Sequence, residues 1–73
     1  MNVQQFTKRM YYLMHSLNIT IENLEVTLKK FGKEHGDDFY IQNPIGELIK
    51  EMRFSSHLLS NHINNLDNEE KIN

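Results

Sequence analysis

Apolar positions in the first seventeen residues recur at intervals of three and four. Val3, Phe6, Met10, Leu13, Met14 and Leu17 fall on one stripe of a helical wheel, which predicts a helix over 3–17. Within it, the stretch RMYYLMHSL (9–17) places Met10, Tyr11, Tyr12, Leu13 and Met14 in an unbroken run. At about 100° per residue, five consecutive large side chains reach every side of a helix. Tyr12 is left opposite the stripe, with Gln5, Lys8 and His15. A small domain has one core to face, so this helix carries a surplus apolar side.

A second periodic segment opens after NIT, where Asn18 or Thr20 can cap. Ile21, Leu24, Leu28 and Phe31 then repeat at three and four, predicting a helix over 20–34. Lys29, Lys30 and Lys33 load its last turns, where the helix dipole favours cations, and Gly32 or Gly36 ends it. GDDFYIQNP reads as loop. Asn43–Pro44 pairs a capping side chain with proline at a first helical position, starting a third helix over 44–66. Ile45, Leu48, Ile49, Met52, Leu59, Ile63 and Leu66 share its main face, and Ile45, Met52, Leu59 and Leu66 are spaced at seven. Ser55 and Ser56 interrupt the stripe and leave room for a large neighbour. Phe54 and Leu58 project from the opposite side, beside Glu47, Glu51, Asn61 and Asn65.

These elements predict an all-α fold. It is either a small three-helix bundle or a helical hairpin plus one long C-terminal helix, completed by homodimerisation. Residues 1–67 form a single helical domain, and the polar tail 68–73 frays. The expected dimer contact is antiparallel, through Met52, Leu59, Ile63 and Leu66, with the two serines allowing close approach. The first two segments resemble in outline the small helical-hairpin phosphatases of sporulating bacteria. The Ser-Gln-x-Leu-Asp signature of that family has no counterpart here, so their activity is not carried over.

Composition sharpens the need for a second chain. A sequence of 73 residues buries only about 60% of its unfolded surface, and with no cysteine there is neither disulfide nor thiolate-zinc staple. Oligomerisation or a partner remains. Charge is uneven: residues 1–33 carry five Lys/Arg against two Glu, and residues 34–73 carry three against eight acids. That asymmetry favours self-docking and disfavours a nucleic-acid surface over the whole chain. Phe, Tyr, Met, Ile, Asn and Lys make up 33 of the 73 residues and alanine is absent, the signature of an A/T-rich gene such as those of low-GC bacteria and their phages. No apolar run is long enough to span a bilayer, and no signal peptide is read at the N-terminus; the expected location is the host bacterial cytoplasm.

Candidate chemistry is sparse. His57 and His62 lie five apart, about 140° round a helix, so one helix cannot present both to one ion. His35 with Asp37 and Asp38 lacks the spaced oxygen ligands of a calcium loop. There is no nucleophile elbow and no phosphate-cradling glycine loop, and the paired carboxylates have no apolar pocket to raise their pKa. The expectation is a non-enzyme with no cofactor and no metal.

What remains is binding. The surplus aromatic and aliphatic groups, Tyr11, Tyr12, Phe39, Tyr40, Phe54 and Leu58, are the expected partner contacts. Asp37, Asp38, Glu47 and Glu51 would steer them to a basic surface. The expected function is a small regulatory protein, phage- or mobile-element-encoded, that binds and modulates, as an inhibitor or an adaptor, a larger host protein such as a replication or transcription factor. The alternative is a DNA-binding regulator with a helix-turn-helix-like segment around 15–33, using Lys29, Lys30 and Lys33 on phosphates.

Overall fold

The computed structural model describes residues 1–36 and 39–72, the last of these for its backbone alone. Among them are two helices and no strand: α1 (Val3–His35) and α2 (Phe39–Ile72). They lie side by side as an antiparallel hairpin 54 Å long and 15 Å in each other dimension. The all-α expectation holds, but in place of two medium helices and a long one the described residues form two long helices.

α1 starts from a reciprocal cap. Asn2 Oδ1 accepts from the Gln5 backbone N–H at 2.8 Å, and Gln5 Oε1 accepts from the Asn2 N–H at 3.0 Å. The break expected at 18–20 does not occur, because both candidate caps spend their polar groups inside a continuing helix. Asn18 accepts a hydrogen bond from Ser56 of α2, and Thr20 Oγ1 donates back to the Ser16 carbonyl at 3.0 Å. Met14 and Ile21 on either side are both buried, so packing carries the helix through. Gly32 is also passed. α1 stops at Gly36, whose φ of 77° and ψ of −178° lie in a region open essentially to glycine alone.

α2 begins at Phe39, a turn earlier than the Asn43–Pro44 signal indicated. Proline inside a helix loses one backbone hydrogen bond and crowds the carbonyl four residues back. The extra turn has an anchor that offsets this. Gln42 Nε2 donates to the Gly36 carbonyl at 2.9 Å, tying the start of α2 to the end of α1. At the other end α2 continues through Ile72, past the tail expected to fray beyond residue 67, and Lys71 pairs with Asp67 at 3.2 Å.

The seam between the helices is a single line on each. Thr7, Met14 and Ile21 on α1 and Ile49, Ser56 and Ile63 on α2 are each at most 5% exposed, and in both helices they stand seven apart. That is the repeat by which two helices stay in register along their length. Ile63, expected at a dimer contact, is spent here. Crossings fix the pairing: Tyr11 reaches Asn64, Asn18 reaches Ser56 and Glu25 reaches Arg53.

Candidate interaction surfaces

Because the seam is one residue wide, the hairpin has two flanks with different chemistry. On one, polar pairs close the seam. The Tyr11 hydroxyl donates to Asn64 Oδ1 at 2.8 Å and to Asp67 Oδ2 at 3.3 Å; Ser56 Oγ donates to Asn18 Oδ1 at 2.7 Å; Arg53 Nε donates to Glu25 Oε1 at 2.8 Å. Burial, then the Asp67 carboxylate, raises the Tyr11 pKa above the usual tyrosine range. The Arg53 hydrogen bond holds Glu25 below the usual glutamate range, and the same bond raises Arg53.

The other flank is mostly apolar. Phe6, Leu13, Leu17 and Leu24 of α1 and Ile41, Ile45, Leu48, Met52 and Leu59 of α2 run along it, from 37% exposed at Leu59 to 56% at Leu48. Two shallow grooves cut into it. One lies between Leu24, Phe31, Ile41, Ile45 and Leu48, near the connecting end; the other is lined by Leu17, Met52, Ser55, Ser56 and Leu59. Contiguous exposed apolar surface of this length is uncommon on a monomeric protein.

A third surface is the outer face of α1, turned away from the seam, with Ile19 at its edge bordering a groove shared with Arg53 and His57 of α2. Tyr12, Ile19 and Val26 are spaced at seven along it, 66%, 46% and 57% exposed. The expectation named Tyr12 alone. Ile19 and Val26 escaped notice because a break placed at 18–20 divided the stripe between two helices, whereas the unbroken α1 aligns all three.

The five-residue run that opened the puzzle is thereby accounted for. Met14 enters the seam, Tyr11 closes the polar flank, Met10 and Leu13 belong to the apolar flank, and Tyr12 stands outside. Tyr11, expected at a partner, is instead half-buried and bonded within the hairpin. Phe54 and Leu58 are exposed on the outer side of α2. Phe39 and Tyr40 are exposed in its first turn, ring edge to face at 6.3 Å, and Phe31 stacks on His35 at 4.6 Å. Glu47 pairs with Lys50 at 3.3 Å, and Glu51 borders the apolar groove. Asp37 and Asp38 lie outside the described residues. Of the dimer set, Met52 and Leu59 are on the apolar flank and Leu66 is half-buried.

For the alternative reading, residues 15–33 contain no turn; they are one stretch of α1, so a helix-turn-helix is not formed there. Among the described residues no three His, Cys, Asp or Glu side chains converge on a possible metal position, and no helix is long and apolar enough to cross a membrane. No protein-family model matches the chain, and neither a curated protein nor a solved structure is similar to it.

Proposed function

We propose that this hairpin is a small non-enzymatic regulatory protein that binds a larger protein and inhibits it. The observation that carries the reading is the outer stripe of α1. Three large apolar side chains, Tyr12, Ile19 and Val26, line up on a face that the hairpin itself does not use. Rigid helices present such a stripe at low entropic cost, and helix-in-groove recognition reads anchors at this kind of spacing. Phe54 and Leu58 on the outer side of α2 offer a second set of anchors. The A/T-rich coding and small size fit a phage or mobile-element gene acting on a host replication or transcription protein.

The test is site-specific photo-cross-linking in a lysate of a low-GC bacterium. A photoreactive residue at Ile19 is expected to trap one protein, and the adduct is expected to vanish with Tyr12→Ala/Val26→Ala. The same residue at Lys71, in the last turn of α2 and away from both sets of anchors, is expected to trap none. Adducts that form equally from both positions, or from neither, would overturn the reading. Retention of DNA that falls steeply with salt would favour the nucleic-acid alternative instead.

A further inference from the structure

We infer that a second copy of this chain covers the apolar flank, giving a four-helix bundle in which the two connecting ends lie together and α1 of each copy faces α2 of the other. The inference does not depend on the outer stripe of α1, which points elsewhere. It starts from area. A compact monomer of 8.7 kDa exposes about 4,700 Å² by the usual scaling with mass, whereas this hairpin exposes 6046 Å². The surplus, on the order of 1,300 Å², exceeds the roughly 800 Å² that each partner buries in a standard stable interface. The apolar flank is long enough to supply it, since its large side chains run from Phe6 to Phe31 on α1 and from Ile41 to Leu59 on α2.

Charge selects the occupant and its orientation. α1 carries five Lys/Arg and three Glu, α2 three Lys/Arg and five acids, so each helix is complementary to the other kind. A twofold axis can pair two such flanks face to face in two ways. With the connecting ends at opposite poles, α1 meets α1, and the edge residues Arg9 and Lys30 approach their like-charged counterparts about an axis near Thr20. With the connecting ends together, α1 meets α2: Lys30 comes beside Glu51 of the second copy, and Arg9 beside its Glu69. Like-charge juxtaposition disfavours the first arrangement, and opposite charge favours the second. The small residues Thr20, Thr27 and Ser55 on this flank allow the helices to close, and every neighbouring pair of helices is antiparallel. The anticipated contact through α2 alone is thus replaced by one that uses both helices.

The experiment is sedimentation equilibrium of the intact chain across the micromolar range, with Leu48→Lys on the flank and Tyr12→Lys on the outer face. A dimer is expected for the natural chain and for Tyr12→Lys, with at least a tenfold weaker dimer for Leu48→Lys. A natural chain that stays monomeric throughout, or a Leu48→Lys chain that dimerises as tightly as the natural one, would overturn the inference. A second measurement needs no disruption of the flank. The chain has no cysteine of its own, so chains with Asn23→Cys and chains with Glu51→Cys are mixed and oxidised. Mixed disulfides between the two kinds are expected to predominate. Mixed disulfides that instead predominate between Arg9→Cys and Lys30→Cys chains would overturn the orientation.

Discussion

Ser56 Oγ donates to Asn18 Oδ1 at 2.7 Å, a hydrogen bond that joins the two helices midway along the seam. Ser56 is the one polar member of the buried line of α2, at 4% exposure. In its present register its hydroxyl is satisfied. Sliding α2 by a turn would take it away from Asn18 and leave it buried without that partner, which costs more than the bond is worth when made. The pair therefore selects the register of the hairpin, much as a buried polar residue does in a coiled coil.

Ser56→Ala is expected to lower stability by about 0.5–1.5 kcal/mol, since Asn18 stays open to water after losing its donor. Ser56→Leu is expected to cost about 1–3 kcal/mol by overfilling a closed seam. Urea denaturation of both variants checks the order.

Ile21 is 1% exposed, the most buried apolar residue among those described. Ile21→Ala should therefore remove about 2–4 kcal/mol. Val26→Ala, on the exposed outer stripe, should change stability by less than about 0.5 kcal/mol. A thermal melt of each at one protein concentration distinguishes seam from surface.

Two glycines predict opposite signs. Gly36 has a backbone conformation that side chains disfavour, so Gly36→Ala is expected to destabilise by about 1–3 kcal/mol. Gly46 lies within α2, and an added Cβ would meet only Leu28 Cδ2 at 3.6 Å, an ordinary contact. Gly46→Ala is expected to stabilise by about 0.5–1 kcal/mol through helix propensity. Chemical denaturation of the two variants reads both signs.

The polar flank responds to pH at both extremes. Glu25 is lowered in the folded chain by its bond from Arg53, so its contribution is present above the ordinary glutamate pKa and is lost as pH falls through the lowered value. Tyr11 is raised, so its contribution is present below the ordinary tyrosine pKa and is lost as pH rises through the raised value. Between about pH 6 and about pH 3 the natural chain should lose more thermal stability than Glu25→Gln. Above about pH 10 it should lose more than Tyr11→Phe.

The class of fold was legible from apolar spacing alone, and so was the presence of more apolar surface than one seam absorbs. The number of helices was not. Asn18, Thr20 and Asn43–Pro44 are local signals for helix ends, and each was outweighed by a contact from the other helix or the preceding turn: Ser56 on Asn18, Gln42 on Gly36. Once α1 is continuous, residues seven apart across the supposed break become neighbours on one face. That is why Met14 and Ile21 share the seam, and why Tyr12, Ile19 and Val26 share the outer stripe. Tyr11 could not be separated from Tyr12 by spacing, because only the facing Asn64 and Asp67 decide which of the two is engaged.

The methionines sample the exposed N-terminus, the seam and the apolar flank, and their oxidation by dilute peroxide, followed by mass spectrometry on the unmodified chain, tests the account most directly. Met1 is 85% exposed, Met14 lies in the seam at 5%, and Met52 is on the apolar flank, 40% exposed in the isolated hairpin. A hairpin whose flank is covered predicts that Met1 oxidises first and that Met52 is protected almost as well as Met14, losing that protection on dilution before Met14 does. Met52 oxidising at close to the rate of Met1, at high concentration and with Met14 still protected, would mean that the flank stands bare in solution and would contradict the account.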